Sequence, residues 1–202
     1  MLFRSKFPKG IDLYPGDYII DIAKRIIKEK KIKNFTNLEK IFKKLTNESL
    51  KISLELIKGN LKELGVKHDK FIFESNLVAK GIVLKTINKL KKNDYVYTGT
   101  LKPPKGELTE EWKIRNQLLF KSTKFGDDVD RALQKEDKSW TYFASDIAYH
   151  DHKVQRKFNF LINILGSDHA GYIKRITAAV SALSNNKVNL ICKVSQLVKL
   201  YK

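Results

Sequence analysis

The chain has 202 residues and a formal net charge of +18, with 40 lysines and arginines against 22 acidic residues. A single cysteine, Cys192, excludes an internal disulfide and any metal site built from several cysteines, and it fits a reducing cytoplasm. No stretch approaches the ~20 apolar residues of a membrane span, and the first ten residues contain no leader-like apolar segment, so a soluble cytoplasmic protein without a membrane partner is expected. The charge favours RNA as a partner. However, 34 of the cations are scattered lysines, so part of the excess can reflect an AT-biased coding sequence.

Helices dominate the first part of the chain, because apolar residues recur there at helical spacing. Asp17 stands where the first helix needs an N-cap, and Gly65 closes the third. The predicted elements are a helix over 18–30, helices over 38–45 and 50–64, a strand 'KFIFES' at 70–75, a helix over 76–92 and a strand 'YVYTGT' at 95–100. The loop 'LKPPKGELT' at 101–109 contains two of the four prolines and is the best candidate boundary.

Strands alternate with helices after this loop. The predicted elements are the strand 'QLLF', a turn 'KFGDDVDR', a hairpin around 'KEDKS', the strand 'WTYFA', a helix over 146–158, the strand 'FLINIL', a helix over 170–184 and the strand 'VNLICKV'. The closing strand–helix–strand–helix–strand order predicts three parallel strands with right-handed crossovers. Three such strands make half of a doubly wound nucleotide-binding fold, and such sheets bind ligands at the carboxyl ends of their strands.

The joint after 'WTYFA' carries the first candidate site. Asp146 is predicted to open a helix, and Tyr142 precedes it by four residues, so both can face one crevice. In the simpler interpretation, Asp146 or Ser145 caps the helix and Tyr142 is a core aromatic. Taken alone, this motif does not decide between the two.

The joint after 'FLINIL' has the same design. Gly166 allows close approach of a ligand to the backbone, and the Asp168 carboxylate suits a ribose diol. The alternative is that Gly166 makes a turn and Asp168 caps a helix. Neighbouring parallel strands would deliver both joints to the same edge of the sheet, which favours a nucleotide-type ligand.

Other groupings are weaker. His150 and His152 lie two apart on a predicted helix and so point to different sides, which makes a shared metal unfavourable. The turn 'FGDDVDR' lacks the further ligands of a calcium loop, and a solvated turn is the favoured interpretation. No catalytic Ser–His–Asp set, Cys–His pair, P-loop or complete GxGxxG occurs.

Several blocks in order resemble the bacterial-type arginine–tRNA ligase family. They are 'LYPGDYI', 'LLFKSTKFGDDVDRAL', 'SWTYFASDIAYH', 'LINILGSDHAGYIKRITAAV' and 'CKVSQLVKL'. The resemblance covers nearly the whole chain and implies an α/β fold, the second half of a Rossmann-like nucleotide-binding parallel sheet over 116–202. A mostly helical α+β insertion with its connections would occupy 1–115.

The resemblance also implies roles for particular residues. Tyr142 and Asp146 would bind the arginine side chain, whereas Gly166, Asp168 and His169 would contact the adenosine and ribose of ATP. A carboxylate and an aromatic wall suit the planar guanidinium better than the point charge of lysine. The implied partners are L-arginine, tRNA(Arg) and ATP, with Mg²⁺ accompanying ATP as substrate and no protein-bound metal.

The departures from the family pattern are informative. No His-x-Gly-His element occurs, and 'KVSQLVKLYK' aligns with the strand before the family's Lys-Met-Ser-Lys loop rather than with the loop. The helical anticodon-binding domain is also missing. The chain is therefore expected to be an internal piece of the catalytic domain that is inactive alone, and a second polypeptide could supply the missing parts. The alternatives are a non-catalytic protein that binds RNA or a small ligand, and a fragment that does not fold.

Overall fold

The computed structural model describes residues 17–30, 37–101 and 115–196. The chain forms two compact units, Met1–Phe71 and Ile72–Lys202. The elements are, in order, α1 (Tyr18–Lys30), α2 (Leu38–Glu63), α3 (Glu74–Ala79), α4 (Ile82–Lys92), β1 (Val96–Gly99), β2 (Gln117–Phe120), β3 (Arg131–Ala132), α5 (Tyr142–Gln155), β4 (Phe160–Gly166), α6 (Ile173–Ser184) and β5 (Asn189–Ser195). Short 3₁₀ helices cover Ser122–Phe125 and Ser167–Tyr172. All but the first residue of the predicted loop at 101–109 lies outside the described residues.

The first unit packs α1 against α2 through a small apolar cluster. Ile22 and Ile26 of α1 are buried against Ile52 of α2. Beside this cluster, the Arg25 guanidinium bonds Glu55 of α2 at 3.0 Å as well as Glu29 of its own helix. The predicted helix over 18–30 is confirmed.

One long helix replaces the two predicted over 38–45 and 50–64. The stretch 'TNES' between the two predicted helices contains neither glycine nor proline, so the helical hydrogen bonds continue through it. The predicted end is confirmed. Gly65 adopts φ +73°, and the N–H groups of Gly65 and Val66 donate to the carbonyls of Lys62 and Leu61, a Schellman motif.

The strand predicted at 70–75 is wrong. Residues 71–73 are extended or irregular, but no described strand pairs with them, and α3 begins at Glu74. The helix predicted over 76–92 is divided at Gly81, whose φ of +65° lies in the left-handed region and ends α3 before α4 starts. Because the predicted strand does not form, Glu74 lies at the start of a helix.

The strands predicted at 95–100 and 117–120 are confirmed as β1 and β2. They pair antiparallel, with Val96 opposite Phe120, and β3 joins the other edge of β2. Leu119 and Phe120 are fully buried, and Phe120 joins the main apolar cluster with residues of α4, α5 and α6. This cluster is the core of the second unit.

The parallel sheet contains two described strands instead of the three predicted. β4 and β5 pair in register from Phe160 opposite Asn189 to Gly166 opposite Ser195. The predicted strand 'WTYFA' is wrong, because only Trp140 makes an isolated antiparallel bridge, to Gln134, before the chain turns into α5. Lys193 and Ser195 of the 'KVS' sequence lie within β5, as expected for the strand before the family's Lys-Met-Ser-Lys loop.

None of the helices in the described ranges has the length and apolar character that a membrane span requires.

Candidate arginine and nucleotide site

The start of α5 sets the position of the first candidate site. Thr141 is the N-cap, and its hydroxyl accepts a hydrogen bond from the Ala144 N–H at 3.2 Å. This cap begins the helix at Tyr142, because a hydroxyl that satisfies a free N–H outweighs the strand preference of the aromatic residues. Neither Ser145 nor Asp146 caps the helix, so the capping interpretation of Asp146 is wrong. Asp146 lies one turn after Tyr142 on the same side of α5.

Asp146 lines a small cavity of about 90 Å³ within the second unit. Its other lining residues come from the start of α3 and from α5: Ile72, Glu74, Leu77, Ser145 and Tyr149. Two carboxylates therefore share a cavity that also has apolar walls. Burial raises the pKa of Asp146 above its ordinary value, and the charge of Glu74 adds to the increase. A cation in the cavity would relieve both effects.

Tyr172 connects the second joint to the first. Its phenol donates a hydrogen bond of 2.5 Å to Oδ2 of Asp146. Burial, and then this hydrogen bond, raise the pKa of Tyr172 far above its ordinary value, so the phenol keeps its proton. Tyr172 thus brings the second joint into contact with Asp146, although the parallel strand that was predicted to deliver the first joint to the sheet edge does not form.

A buried chain of hydrogen bonds fixes α5 against β4. Nδ1 of His150 lies 2.8 Å from the backbone carbonyl of Asp146, and Nε2 lies 3.0 Å from Nδ2 of Asn163. Lys153 in turn donates to Oδ1 of Asn163 at 2.8 Å. Burial lowers the pKa of His150 to about 4, so the ring is neutral at pH 7 and can donate from Nδ1 while it accepts at Nε2. His150 thus holds the backbone of Asp146.

The remaining predicted site residues are on the surface. Tyr142 is 75% exposed, with Nζ of Lys135 5.5 Å from its ring centroid, and it is not among the residues that line the cavity. Asp168 and His169 are exposed in the 3₁₀ helix, with Oδ2 and Nε2 3.4 Å apart. Gly166 ends β4 with an ordinary φ of −68°, but a Cβ there would collide with Oδ1 of Asp168.

The turn 'FGDDVDR' closes on itself instead of forming a solvated loop. Asp127 is buried, and Arg131 donates to both of its oxygens, at 2.7 and 2.8 Å. Ser122 and the Asp128 N–H complete the hydrogen bonds of the same carboxylate. Within the described residues, no group of three or more His, Cys, Asp or Glu side chains could hold a metal ion.

Glu74, Tyr149 and Tyr172 are the site residues that sequence reasoning missed. Glu74 was placed in a strand that does not form, and Tyr172 lies in the block 'LINILGSDHAGYIKRITAAV', in which only Gly166, Asp168 and His169 were given roles. The useful signal was the spacing of Tyr149, three residues after Asp146, because residues three apart share a helix face.

Comparison with known proteins identifies the relatives of this chain. No protein-family model matches it. The arginine–tRNA ligase of Pelagibacter ubique is 60% identical over 203 residues, which cover 100% of the chain and 35% of that ligase. The arginine–tRNA ligase of Roseobacter denitrificans is 46% identical over 198 residues, covering 97% of the chain and 34% of the relative.

Solved structures agree with this result. An arginyl-tRNA synthetase from Campylobacter jejuni matches 96% of the chain with a TM-score of 0.76 and 29% identity, over 39% of its own length. The chain is thus similar in sequence and in its α/β fold to a segment of an aminoacyl-tRNA ligase. Within that class the homologues of the chain are arginine–tRNA ligases, and it spans about a third of the length of each, which confirms the resemblance found in the sequence.

Proposed function

We propose that this chain is the part of an arginine–tRNA ligase that binds the arginine side chain and one side of the adenosine. The cavity between α3 and α5 carries the proposal, because it presents the carboxylates of Asp146 and Glu74 together. A guanidinium donates two parallel N–H bonds to one carboxylate and keeps further donors for a second. The ring of Tyr142, one turn before Asp146, does not line this cavity, and we assign it a stacking contact with the guanidinium from the exposed side.

The adenosine side is assigned to the second joint. Gly166 ends β4 beside Ser195 of β5, and Asp168 follows on an exposed 3₁₀ helix. Among the described residues, the Asp168 carboxylate makes a close contact only with the imidazole of the neighbouring His169, so it can accept from a ribose diol. Gly166 and His169 would contact the same nucleoside. ATP is the substrate in this proposal, with Mg²⁺ held by its phosphates.

The full reaction, ATP, L-arginine and tRNA(Arg) to arginyl-tRNA, AMP and diphosphate, is assigned to the longer ligase. Stabilisation of the charge that develops on the α-phosphate needs positioned donors. The 202 residues contain no His-x-Gly-His element. We therefore expect the 202-residue chain, about a third of the ligase, to bind arginine without aminoacylating tRNA. The insertion over 1–115 and the cytoplasmic location stay predictions of the sequence.

Arginine binding by the purified 202-residue chain tests the proposal. Isothermal titration should show L-arginine binding at least tenfold tighter than L-citrulline, which has the same shape but carries a neutral urea group. The physical reason is that each hydrogen bond to a charged group contributes about 1.5–3 kcal/mol. Equal affinity for the two amino acids would show that the carboxylate pair does not bind the side chain.

We also propose that β4 and β5 belong to a larger Rossmann-like parallel sheet. One face of this pair buries Leu161 and packs on the core through Leu190 and Cys192, whereas the other exposes Phe160, Ile162, Ile164 and Ile191. Parallel strands are normally covered on both faces. The bare apolar face therefore supports a sheet that further segments of the ligase complete.

Polar substitutions on the two faces of β4 should have different effects on stability. The double variant Ile162→Thr/Ile164→Thr should reduce dye binding and self-association, and its free energy of unfolding should change by less than about 1 kcal/mol. Leu161→Thr is the matched control on the buried face and should lose about 2–4 kcal/mol. Light scattering and urea unfolding measure both effects. Equal destabilisation by the two variants would mean that this chain covers both faces itself.

A further inference from the structure

The Asp146 carboxylate is held by a residue from outside its own helix. Tyr172 is the last residue of the 3₁₀ helix Ser167–Tyr172, and its phenol reaches Oδ2 of Asp146 at 2.5 Å. A carboxylate has about four acceptor positions, so one is taken and three stay available. The phenol also prevents the carboxylate from rotating freely about χ2.

Two side chains contact the Tyr172 ring. Phe143, which is buried, packs edge-to-face against it with the centroids 6.2 Å apart. The Arg175 guanidinium carbon lies 5.0 Å from the ring centroid on α6. The oxygen of Tyr172 is therefore a fixed point, and the orientation of the Asp146 carboxylate follows from it.

A fixed carboxylate plane matters for only one kind of cation. A guanidinium must align two parallel N–H groups with the two oxygens, so it gains from a plane that is already set. An ammonium group is a point charge with rotating donors and binds a carboxylate in many orientations. We infer that Tyr172 is a specificity-determining residue, which selects a guanidinium over an ammonium group by fixing the plane of the Asp146 carboxylate. This inference rests on the proposed arginine-binding function.

The charge of Asp146 depends on the same hydrogen bond. Burial and Glu74 of α3 raise the pKa of Asp146, whereas Tyr172, Lys153 of α5 and His169 of the 3₁₀ helix oppose the increase. Removing the phenol donor therefore raises this pKa further. A change in the titration of Asp146 is a consequence that a merely structural tyrosine would not produce.

The test is Tyr172→Phe in the 202-residue chain, with Tyr97→Phe as the matched control. Tyr97 also donates to a carboxylate, Oδ2 of Asp130 at 2.9 Å, but it lies on β1 outside the site. We expect Tyr172→Phe to weaken L-arginine binding about tenfold and to change L-lysine binding by less than about twofold, on the scale of one charged hydrogen bond. Tyr97→Phe should leave both affinities unchanged.

Carbon-13 NMR titration of the carboxyl groups gives an independent measurement without any ligand. The midpoint of Asp146 should move to higher pH in Tyr172→Phe and stay in place in Tyr97→Phe. Equal losses of arginine and lysine affinity, or an unmoved Asp146 midpoint, would overturn the inference while leaving arginine binding intact. A wild-type chain that binds no arginine would instead overturn the proposed function, and the inference with it.

Discussion

Asp146→Asn is expected to lower the affinity of the chain for L-arginine by about 2–5 kcal/mol, roughly thirtyfold or more. The substitution keeps the shape of the side chain and an oxygen that accepts from Tyr172, but it removes the charge that faces the guanidinium. Titration calorimetry at pH 7 measures the loss. Asp94→Asn is the control, because this exposed carboxylate pairs with Lys121 outside the site and its removal changes the net charge equally.

The stability of the same variant separates function from structure. Because the pKa of Asp146 is raised in the folded chain, the charged form opposes folding, and the neutral asparagine should unfold at equal or higher urea concentration than the wild type. If Asp146→Asn weakens arginine binding while the fold keeps or gains stability, the carboxylate is retained for ligand binding and not for folding. A clear loss of stability in Asp146→Asn would assign the carboxylate to the fold instead.

The pH dependence of arginine binding follows from the same carboxylate. Only the charged form of this carboxylate accepts two N–H bonds. The affinity for L-arginine should therefore be highest at neutral pH and decrease as the pH falls through the raised pKa of Asp146. The midpoint should therefore lie above the ordinary value for aspartate, which is about 3.9. His150, with a pKa of about 4, is neutral over most of this range and should not contribute a second step near pH 6.5.

Local signals in the sequence were sufficient for some elements and not for others. The Schellman motif at Gly65 and the strands β4 and β5 followed from single residues and short apolar runs. The start of α5 did not, because 'WTYFA' has strand-forming residues and one hydroxyl, that of Thr141, changes the outcome. The parallel order was right for β4 and β5, but the third strand depended on this misplaced start.

The candidate site shows the same limit. Tyr142 and Asp146 were found because they lie four residues apart at one predicted strand-to-helix joint and resemble a family motif, relations that are local in sequence. Glu74 and Tyr172 lie 72 and 26 residues from Asp146, and only the folded chain brings them to the same carboxylate or cavity. The resemblance to a ligase family pointed to Tyr142 and Asp146, which lie at the start of α5, whereas the second carboxylate and the phenol are distant in sequence and are found only in the folded chain.

Asp127→Asn is expected to destabilise the chain by about 3 kcal/mol at pH 7, because it leaves the partly buried Arg131 guanidinium without its paired carboxylate. Urea unfolding measures the loss. Asp128→Asn is the matched control one residue away. Its carboxylate is exposed and pairs with exposed Lys174, so its removal should cost less than about 1 kcal/mol.

Acid should reduce the difference in stability between the wild type and Asp127→Asn. Burial by itself would raise the pKa of Asp127, but the hydrogen bonds from Arg131, Asp128 and Ser122 outweigh it and hold the pKa below its ordinary value. The stabilisation is therefore complete above pH 4–5 and is lost as the pH falls through the folded pKa. Unfolding measured at pH 7 and pH 3 should show a smaller advantage of the wild type at pH 3 than at pH 7. An advantage that persists undiminished in acid would mean that packing of the turn, and not the Arg131 pair, holds it closed.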